Sequence, residues 1–356
     1  MKTPLEPLQE RLAAAATATL ARGSFILGPE VEAFEREFAD YLGVEHVVGV
    51  ANGTDAITIA LRAMGVGPGD DVVVPSFTFY ASAEAIPPTG ARPVFCDVDR
   101  NTMMVTPETV KAALTPATKA VIAVHLFGNV APVRELEALG VPVLEDAAQS
   151  AGSRGPDARP GALGTAATFS FYPTKNLGGM GDGGAIATSS EEVTEMAMML
   201  RSHGSRDQST WQMIGYNSRL DSLQAAFLRI LLPELDGWAA GRSRAGGYYA
   251  GAGLGDLVEL PEPTAGAIPA WHVYVIRSGA VDVIATTLAE AGIGNKVYYR
   301  PPLHRHPALA AYARGLELPV TDELAGRHLA IPIGPMFSKA QAEHVTESIA
   351  TVLAAR

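Results

Sequence analysis

The chain has 356 residues, 47% of them hydrophobic and 18% charged, a balance typical of a globular protein with one large and one smaller domain. Its net charge of −11 and the lack of a long basic run argue against a surface for nucleic acid or an anionic membrane. Cys96 is the only cysteine, which excludes an internal disulfide and a thiolate metal cluster, and we expect no metal site.

The alanine-rich run from Leu12 to Leu20 could belong to a signal peptide or to an amphipathic helix. It has no basic leader, and Leu5, Leu8, Leu12 and Leu20 fit a helical stripe, so we interpret it as a first helix. No segment reaches the ~20 apolar residues of a membrane span. We therefore expect a soluble, cytoplasmic protein.

From Glu45 to Thr188 the chain alternates short β-rich runs with helical ones such as DAITIALRAM and TPETVKAAL. The strand-like runs are HVVGV, DVVVP, RPVFCDV, KAVIAVHLF, VPVLED, ATFSF and GGAIAT. They are nearly continuous in Val, Ile, Ala and Phe, as expected when helices cover both faces of a mostly parallel sheet. The predicted fold class is α/β, with a mostly parallel sheet of seven strands sandwiched by helices.

After Asp221 the pattern changes. SLQAAFLRILLPEL predicts a helix that Pro233 interrupts, and the segment from Gly255 to Gly266 predicts a connector. Beyond it, WHVYVIRS predicts a strand, and VDVIATTLAEAGI and KAQAEHVTESIATVLAA predict helices. We expect a large α/β domain over residues 1–235 and a smaller α+β domain over residues 236–356.

Lys175 lies in FSFYPTKNLGGMGDGG, where an apolar run opens into a glycine-rich loop. A structural lysine usually keeps its charge in water on a helix face, so this position indicates a chemical role. GMGDGG satisfies the dinucleotide pattern G-x-G-x-x-G, but a lysine loop precedes it and a strand follows it, which disfavours a nicotinamide site. The P-loop pattern is absent, because Lys175 precedes the glycines.

Two further features fall at predicted strand ends. ANGTDAITIAL places Gly53 at a helix start, whose free N–H groups can bind phosphate, although an ordinary Asn or Thr N-cap explains the same residues equally well. VPVLEDAAQS places Asp146 after an apolar strand, where α/β proteins bind ligands, although aspartate also caps helices there. With Lys175, these features match pyridoxal phosphate, which needs a Schiff-base amine, an acid at the pyridine nitrogen and a phosphate cradle.

The motifs NGTDA, PSFTFYAS, EDAAQS, FSFYPTKNLGGMGDGG, GYNSRLDSLQAA and PPLH occur in this order along the chain. In this arrangement the chain resembles the DegT/DnrJ/EryC1/StrS sugar aminotransferases, from about Gly23 to about Pro335. The resemblance implies a fold-type I enzyme of the aspartate aminotransferase superfamily. It also implies pyridoxal 5'-phosphate as the cofactor and a homodimer with shared active sites.

The resemblance assigns the cofactor ring to four residues. Lys175 would form the internal aldimine and move protons between substrate and cofactor. Asp146 would pair with the pyridinium nitrogen, and Gln149 would contact the ring hydroxyl. Phe79 would stack on the ring, whereas its residue type alone favours a core aromatic.

The cofactor phosphate is assigned in the same way to Gly53, Thr54, Ser170 and Asn217. Asn217 would reach it from the neighbouring subunit. Without the resemblance, Ser170 would be an ordinary strand hydroxyl and Asn217 a turn residue.

Tyr172 and His304 match positions near the sugar substrate. His304 lies in YYRPPLHRHPA, which on residue grounds alone also fits a proline-rich surface loop with solvated histidines. Lys296 stands where many members carry a small or polar residue, which separates this chain from them in the region of sugar specificity. His125, at the end of a predicted strand, is assigned no role.

The lysine itself favours transamination, because family members with histidine at that position remove a hydroxyl group from the sugar. The predicted reaction is ping-pong transfer of an amino group from glutamate or glutamine to a nucleotide-linked keto-deoxysugar, at C3 or C4. A keto-cyclitol aminotransferase and a non-catalytic, regulatory pyridoxal-phosphate-binding protein are the alternatives. An oxidoreductase built on GMGDGG is a third.

Overall fold

Seven short, buried strands pair to form the central sheet of the protein. The structure is a computed structural model that describes residues 4–354. The strands are β1 His46–Val50, β2 Asp71–Pro75, β3 Arg92–Cys96, β4 Thr118–Val124, β5 Val143–Asp146, β6 Ala166–Ser170 and β7 Gly184–Thr188. Their order is β1-β7-β6-β5-β4-β2-β3, and only the pairings of β7 are antiparallel. The predicted fold class is confirmed.

The strand directions bring several strand ends together. β1 and β6 both run antiparallel to β7, so they run the same way as each other and as β2 to β5. Six strands therefore end at one edge of the sheet, the carboxyl edge, and β7 begins there. This is the edge at which open α/β sheets bind ligands.

Helices cover both faces of the sheet. They are α1 Gln9–Arg22, α2 Pro29–Leu42, α3 Gly53–Ala63, α4 Ala81–Glu84, α5 Pro107–Ala113, α6 Val133–Glu137, α7 Glu191–Arg201, α8 Ser222–Leu231, α9 Leu235–Gly251, α10 Val281–Glu290, α11 Pro319–Arg327 and α12 Lys339–Ala354. Short 3₁₀ helices lie at Glu6–Leu8, Pro87–Thr89, Leu126–Gly128, Leu232–Glu234, Leu254–Asp256, Leu303–Arg305 and Pro307–Tyr312. None of the helices in residues 4–354 has both the length and the apolar character needed to cross a membrane.

Two apolar clusters lie on opposite faces of the sheet. α3 and α7 contribute to one cluster, and α2 and α8 contribute to the other. Along β7, Ile186 packs in the first cluster, whereas Ala185 and Ala187 pack in the second. This alternation is the two-residue period of a strand that is buried on both faces.

A separate apolar cluster forms in the C-terminal part of the chain. The antiparallel pair β8 Tyr274–Arg277 and β9 His328–Ile331 packs there with α9, α10 and α12. Members of this cluster run from Ala245 to Ile349, whereas Leu235 packs with α2 and α8. On this ground we propose that the smaller domain begins near residue 236.

Helix α9 is the main element that the sequence patterns do not predict. Its sequence, LDGWAAGRSRAGGYYAG, is rich in glycine, which lowers helix propensity. Two of these glycines permit close packing, because a Cβ on Gly241 would collide with the Pro335 carbonyl and one on Gly246 would crowd the Trp271 ring. The predicted interruption at Pro233 is confirmed, since α8 ends at Leu231 and a 3₁₀ turn precedes α9.

The glycines of α9 provide a matched test of this packing. We expect Gly241→Ala to lower the free energy of unfolding by about 1–3 kcal/mol, because the added methyl group meets backbone that cannot move aside. Gly247→Ala, with no atom within 4 Å of its Cβ, should raise the free energy of unfolding by about 0.5–1 kcal/mol. Urea denaturation of both variants measures the difference, and equal effects would contradict the packing account.

Candidate active site

Asp146 is the last residue of β5 and lies buried at the carboxyl edge of the sheet. Its Oδ2 accepts a hydrogen bond from the Ser82 hydroxyl at 2.7 Å, and its Oδ1 accepts one from the Ala148 N–H at 3.2 Å. These bonds fix the carboxylate near the strand end. It does not cap any α-helix in residues 4–354, so the helix-cap alternative is wrong.

Lys175 follows β6 in a tight loop at the same edge. Its backbone N–H donates to the Tyr172 carbonyl at 2.8 Å, and the N–H of Gly179 donates to the Phe171 carbonyl at 2.7 Å. The side chain is half-buried. Burial lowers the pKa of the Lys175 amine, and the charge of Asp146 opposes this shift by favouring the ammonium form. The structure therefore brings the predicted lysine and acid together.

The first turn of α3 packs against the end of β6. A Cβ added to Gly53 would lie 2.8 Å from the Cβ of Ser170, so only glycine permits this approach. Asn52 is the N-cap, and its side chain accepts a hydrogen bond from the Asp55 N–H at 2.8 Å. The N-cap alternative is thus confirmed for Asn52. Thr54 lies in the same half-buried turn, where N–H groups at a helix start can also bind an anion.

Gln149, three residues after Asp146, is held by two hydrogen bonds. Its Oε1 accepts from the Phe127 N–H at 2.7 Å, and its Nε2 donates to the Tyr299 hydroxyl at 2.9 Å. The ring of Tyr299 stacks on that of Phe127, with centroids 5.8 Å apart. Tyr299 was missed as a site residue, although it lies in the YYRPPLH segment that suggested His304.

Phe79 follows β2 and is 56% exposed, so the alternative of a core aromatic is wrong. Its ring centroid lies 6.5 Å from that of Tyr299. Tyr172, in the loop before Lys175, is 52% exposed. Both aromatic side chains are therefore open to a ligand or to a second protein chain.

Asn217 is exposed. The hydroxyl of the next residue, Ser218, accepts a hydrogen bond from the Ala51 N–H at 3.1 Å. Within residues 4–354, no hydrogen bond joins the Asn217 side chain to this chain. Its expected contact with a neighbouring subunit stays a prediction.

His304 is only 5% exposed, so the alternative of a solvated surface histidine is wrong. Its Nδ1 lies 2.6 Å from the Ser76 hydroxyl, and its Nε2 lies 3.2 Å from the Asp322 carboxylate. Burial lowers the pKa of His304, and Asp322 opposes this shift. The structure joins His304 to the end of β2, and its predicted role near the sugar stays a prediction.

Arg242 and His272 are joined by a hydrogen bond, and the sequence patterns revealed neither of them. One guanidinium nitrogen of Arg242, Nη1, donates to the carbonyls of Trp271 and His272 at 3.1 and 3.2 Å. Burial lowers the pKa of His272 well below its ordinary value, and the charges of Lys175 and Arg242 lower it further. WHVYVIRS predicted a strand but carried no signal that the charge of Lys175 acts on His272, which lies just before β8.

His125 has a structural role, in agreement with its omission from the predicted site. Its Nε2 donates to Glu145 at 2.8 Å, and its Nδ1 accepts from the Ala131 N–H at 2.9 Å. Glu145 also accepts from the N–H groups of Gly161, Leu163 and Gly164. In the described part of the chain, no three His, Cys, Asp or Glu side chains are placed to hold a metal ion.

Comparison with known proteins identifies the family. The sequence matches the model of the DegT/DnrJ/EryC1/StrS aminotransferase family over residues 7–350. The chain belongs to this family. The resemblance drawn from its motifs is thereby confirmed, and the protein is an aminotransferase by family.

Similar proteins carry several names. A "pleiotropic regulatory protein" of Geobacillus stearothermophilus is 43% identical, with 92% of this chain and 90% of the relative covered. A dTDP-3-amino-3,4,6-trideoxy-alpha-D-glucose transaminase of Streptomyces venezuelae is 41% identical, with 98% and 94% covered. The solved structure of NtdA from Bacillus subtilis with bound cofactor PMP has a TM-score of 0.89 and 29% identity, with 97% and 82% covered.

The electrostatic coupling between Lys175 and Asp146 can be measured without any substrate. In cofactor-free protein, the reaction of Lys175 with an acylating reagent follows the neutral amine, so its midpoint in pH reports the pKa. Asp146 raises this pKa, so Asp146→Asn should move the midpoint to lower pH. Asp182→Asn, an exposed position in the same loop, should leave the midpoint unchanged. Mass spectrometry of the Lys175 peptide measures both, and an upward shift in Asp146→Asn would contradict the coupling.

Proposed function

We propose that the protein uses pyridoxal 5'-phosphate to transfer an amino group from an amino acid to a nucleotide-linked keto sugar. The observation that carries the proposal is that Lys175 and Asp146 lie near each other at the carboxyl edge of the sheet. A half-buried lysine of lowered pKa lies near a buried carboxylate at the carboxyl edge of the sheet. This is the arrangement that the Schiff-base chemistry of the family requires.

The residues present fit the cofactor. The contact between Gly53 and Ser170 leaves backbone N–H groups and a hydroxyl side by side, which suits a phosphate group. Asp146 supplies the acid for the ring nitrogen, and Phe79 offers an exposed ring for stacking. When bound, pyridoxal phosphate supplies a ring that withdraws electrons from the substrate carbon attached to the nitrogen.

Lys175 acts at two points in this proposal. Because burial lowers its pKa, a larger fraction of its amine is unprotonated near neutral pH, and the unprotonated amine is the nucleophile. In the transfer steps the same Nζ would take a proton from the donor carbon and deliver it to the cofactor carbon, and it would move a proton in the opposite direction when the keto sugar is the substrate. A base in the correct position contributes about 10²–10⁴-fold to such a step.

Neighbouring residues hold the reacting groups in place. The Ser82 hydroxyl orients the Asp146 carboxylate, and the Gln149–Tyr299 hydrogen bond orients the amide that we propose for the ring hydroxyl. Tyr299 packs between Phe127 and Phe79, so its hydroxyl has little freedom to move. Each side chain thus contributes orientation more than reactivity.

A nucleotide sugar is the substrate class that the similar proteins favour. The Streptomyces venezuelae relative is named for a dTDP-linked 3-amino sugar, which supports amination at C3, with C4 as the alternative. We propose Tyr172 and His304 as sugar-side residues and glutamate or glutamine as the donor. The regulatory alternative is motivated by the name of the Geobacillus relative, and a keto-cyclitol is the alternative substrate.

Replacement of Lys175 tests the function directly. In the wild-type protein, borohydride after incubation with pyridoxal phosphate should fix the cofactor on the Lys175 peptide, and glutamate added first should prevent this. Lys175→Ala should lose transamination by at least about 10²-fold, since its nucleophile and base are absent.

The matched control is Lys175→Arg, which keeps the positive charge but cannot form the bond. It should lose activity to the same degree, and both variants should keep the wild-type melting temperature within a few degrees. An adduct at another lysine, or normal turnover in Lys175→Ala, would contradict the proposal.

We also propose a homodimer in which Asn217 completes the phosphate site of the neighbouring subunit. Mixing Lys175→Ala with Asn217→Ala subunits tests this, because each mixed dimer would contain one site with both native residues. Activity should then rise to about half of the wild-type value per mixed dimer. If Asn217 serves its own chain, as the nearby Ser218–Ala51 bond also allows, mixing should give no increase.

A further inference from the structure

A glutamine on helix α8 contacts the loop that carries Lys175. Gln224 is the third residue of α8 and is only 9% exposed. Its Oε1 accepts a hydrogen bond from the Met180 N–H at 2.7 Å. Met180 lies in the glycine-rich half of the loop, after Lys175, so this bond joins the loop to a helix that has no other part in the proposed reaction.

The glycine-rich half of the loop has little stiffness of its own. Residues 178–184 contain five glycines. Because glycine loses more conformational freedom on folding than any other residue, this segment keeps one shape only if other residues hold it. In residues 4–354, no side chain other than Gln224 makes a hydrogen bond to the backbone of residues 177–183. Gln224 is therefore the polar side chain that restrains this segment.

The glycines allow the loop backbone to approach the Gln224 amide directly. A Cβ added to Gly179 would lie 2.8 Å from the Oε1 of Gln224, and one added to Gly181 would lie 3.3 Å from its Nε2. A Cβ at Gly183 would lie 3.1 Å from a methyl group of Leu220, just before α8. Side chains at these positions would push the loop away from the helix start.

The start of α8 is a fixed support for Gln224. Asp221 is the N-cap, and its side chain accepts a hydrogen bond from the Gln224 N–H at 2.8 Å. The N–H of Ser222 donates to the Phe25 carbonyl at 2.9 Å, and its hydroxyl donates to the Leu27 carbonyl at 2.7 Å. The helix also packs with α2 in one of the two apolar clusters of the large domain. The Gln224 side chain therefore extends from a position that is held on several sides.

The Phe171 carbonyl links the glycine-rich half of the loop to the half that carries Lys175. It accepts a hydrogen bond from the Gly179 N–H at 2.7 Å. This bond closes residues 172–178 into a short loop with Lys175 at its centre. Gly179 directly precedes the residue that Gln224 holds, so a displacement there would move the lysine.

We propose that Gln224 is a positioning residue that keeps the Lys175 amine near the carboxylate of Asp146. Without an acceptor for the Met180 N–H, the glycine-rich segment would adopt more conformations, and the amine would spend less time at the carboxyl edge. Gln224 acts through the loop backbone and needs no contact with the amine. The consequence for catalysis rests on the proposed function, whereas the position of the amine is a property of the cofactor-free protein.

The interaction of Lys175 with Asp146 in cofactor-free protein measures this position. Asp146→Asn is expected to move the acylation midpoint of Lys175 to lower pH, and the size of that shift reports how strongly the two groups interact. Gln224→Met has a similar volume but no acceptor oxygen. In this background the shift caused by Asp146→Asn should fall by about half or more, because the interaction weakens with distance and hydration.

Two control variants separate positioning from general stability. Gln224→Glu keeps an oxygen that can accept from the Met180 N–H, and it should keep the wild-type shift, since its charge acts equally with and without Asp146. Ser222→Ala removes the hydrogen bond to Leu27 at the same helix start and should also keep the shift. Hydrogen exchange at the Met180 amide should accelerate in Gln224→Met and in neither control.

The holoenzyme gives a second readout. Gln224→Met should slow the half-reaction with glutamate by about 10- to 10²-fold, as expected for a misplaced reacting group. Gln224→Glu should restore most of this rate, and Ser222→Ala should react like the wild type.

Other outcomes overturn the inference. An unchanged shift in Gln224→Met, or an equal loss of the shift in Ser222→Ala, would show that Gln224 does not position the lysine. If Gln224→Met fails to fold, Gln224→Asn, whose amide is one methylene group shorter, replaces it with the same expected outcomes. A wild-type protein with the full interaction but without a cofactor adduct at Lys175 would instead refute the proposed function.

Discussion

The position of β7 between β1 and β6 is the constraint on which the site depends. β7 begins at the carboxyl edge, where Gly184 lies so close to Asn52 that a Cβ there would collide with its carbonyl. The same insertion brings the first turn of α3 against Ser170, through Gly53. Two glycines thus allow a helix start, a strand end and the Lys175 loop to occupy one small volume. A side chain at either position would separate the N–H groups from the hydroxyl.

The electrostatics of the site are local and differ from those of the chain as a whole. A net charge of −11 repels carboxylates and phosphates at long range, so any such ligand at the carboxyl edge would have to be bound by groups at short range. Burial and Asp146 act on the Lys175 amine in opposite directions, and burial prevails. Arg242 experiences the same desolvation but remains charged, because its pKa starts from a much higher value. Burial therefore lowers the pKa of both groups, but only Arg242 stays fully protonated at neutral pH.

The sequence predicts the parts of this structure in which local pattern and tertiary packing agree. The seven strands are buried on both faces, so their apolar runs identify them, and Lys175 and Asp146 follow because they lie next to such runs. Helix α9 was missed because Gly241 and Gly246 serve contacts with residues about 25–94 positions away. For Phe79 and His304, residue type and local sequence predict the wrong degree of burial. An aromatic that looks like core is exposed, and a histidine in a proline-rich loop is buried against Ser76 and Asp322.

Hydrogen-bond satisfaction separates the structural charges from the functional ones more clearly than burial does. Glu145 is fully buried, yet His125 and three backbone N–H groups satisfy its carboxylate, so it braces the loop after β5. Lys175 and Arg242 are less buried but have no ion pair among residues 4–354, and the buried Nδ1 of His272 has no hydrogen-bond partner there. A buried polar group with hydrogen-bond partners contributes to the stability of the fold. A buried polar group without a partner destabilises the fold through its desolvation, and hydrogen bonds to a ligand can offset that cost. For this reason we expect a bound ligand to complete the interactions of Lys175 and Arg242, whereas those of Glu145 are already complete.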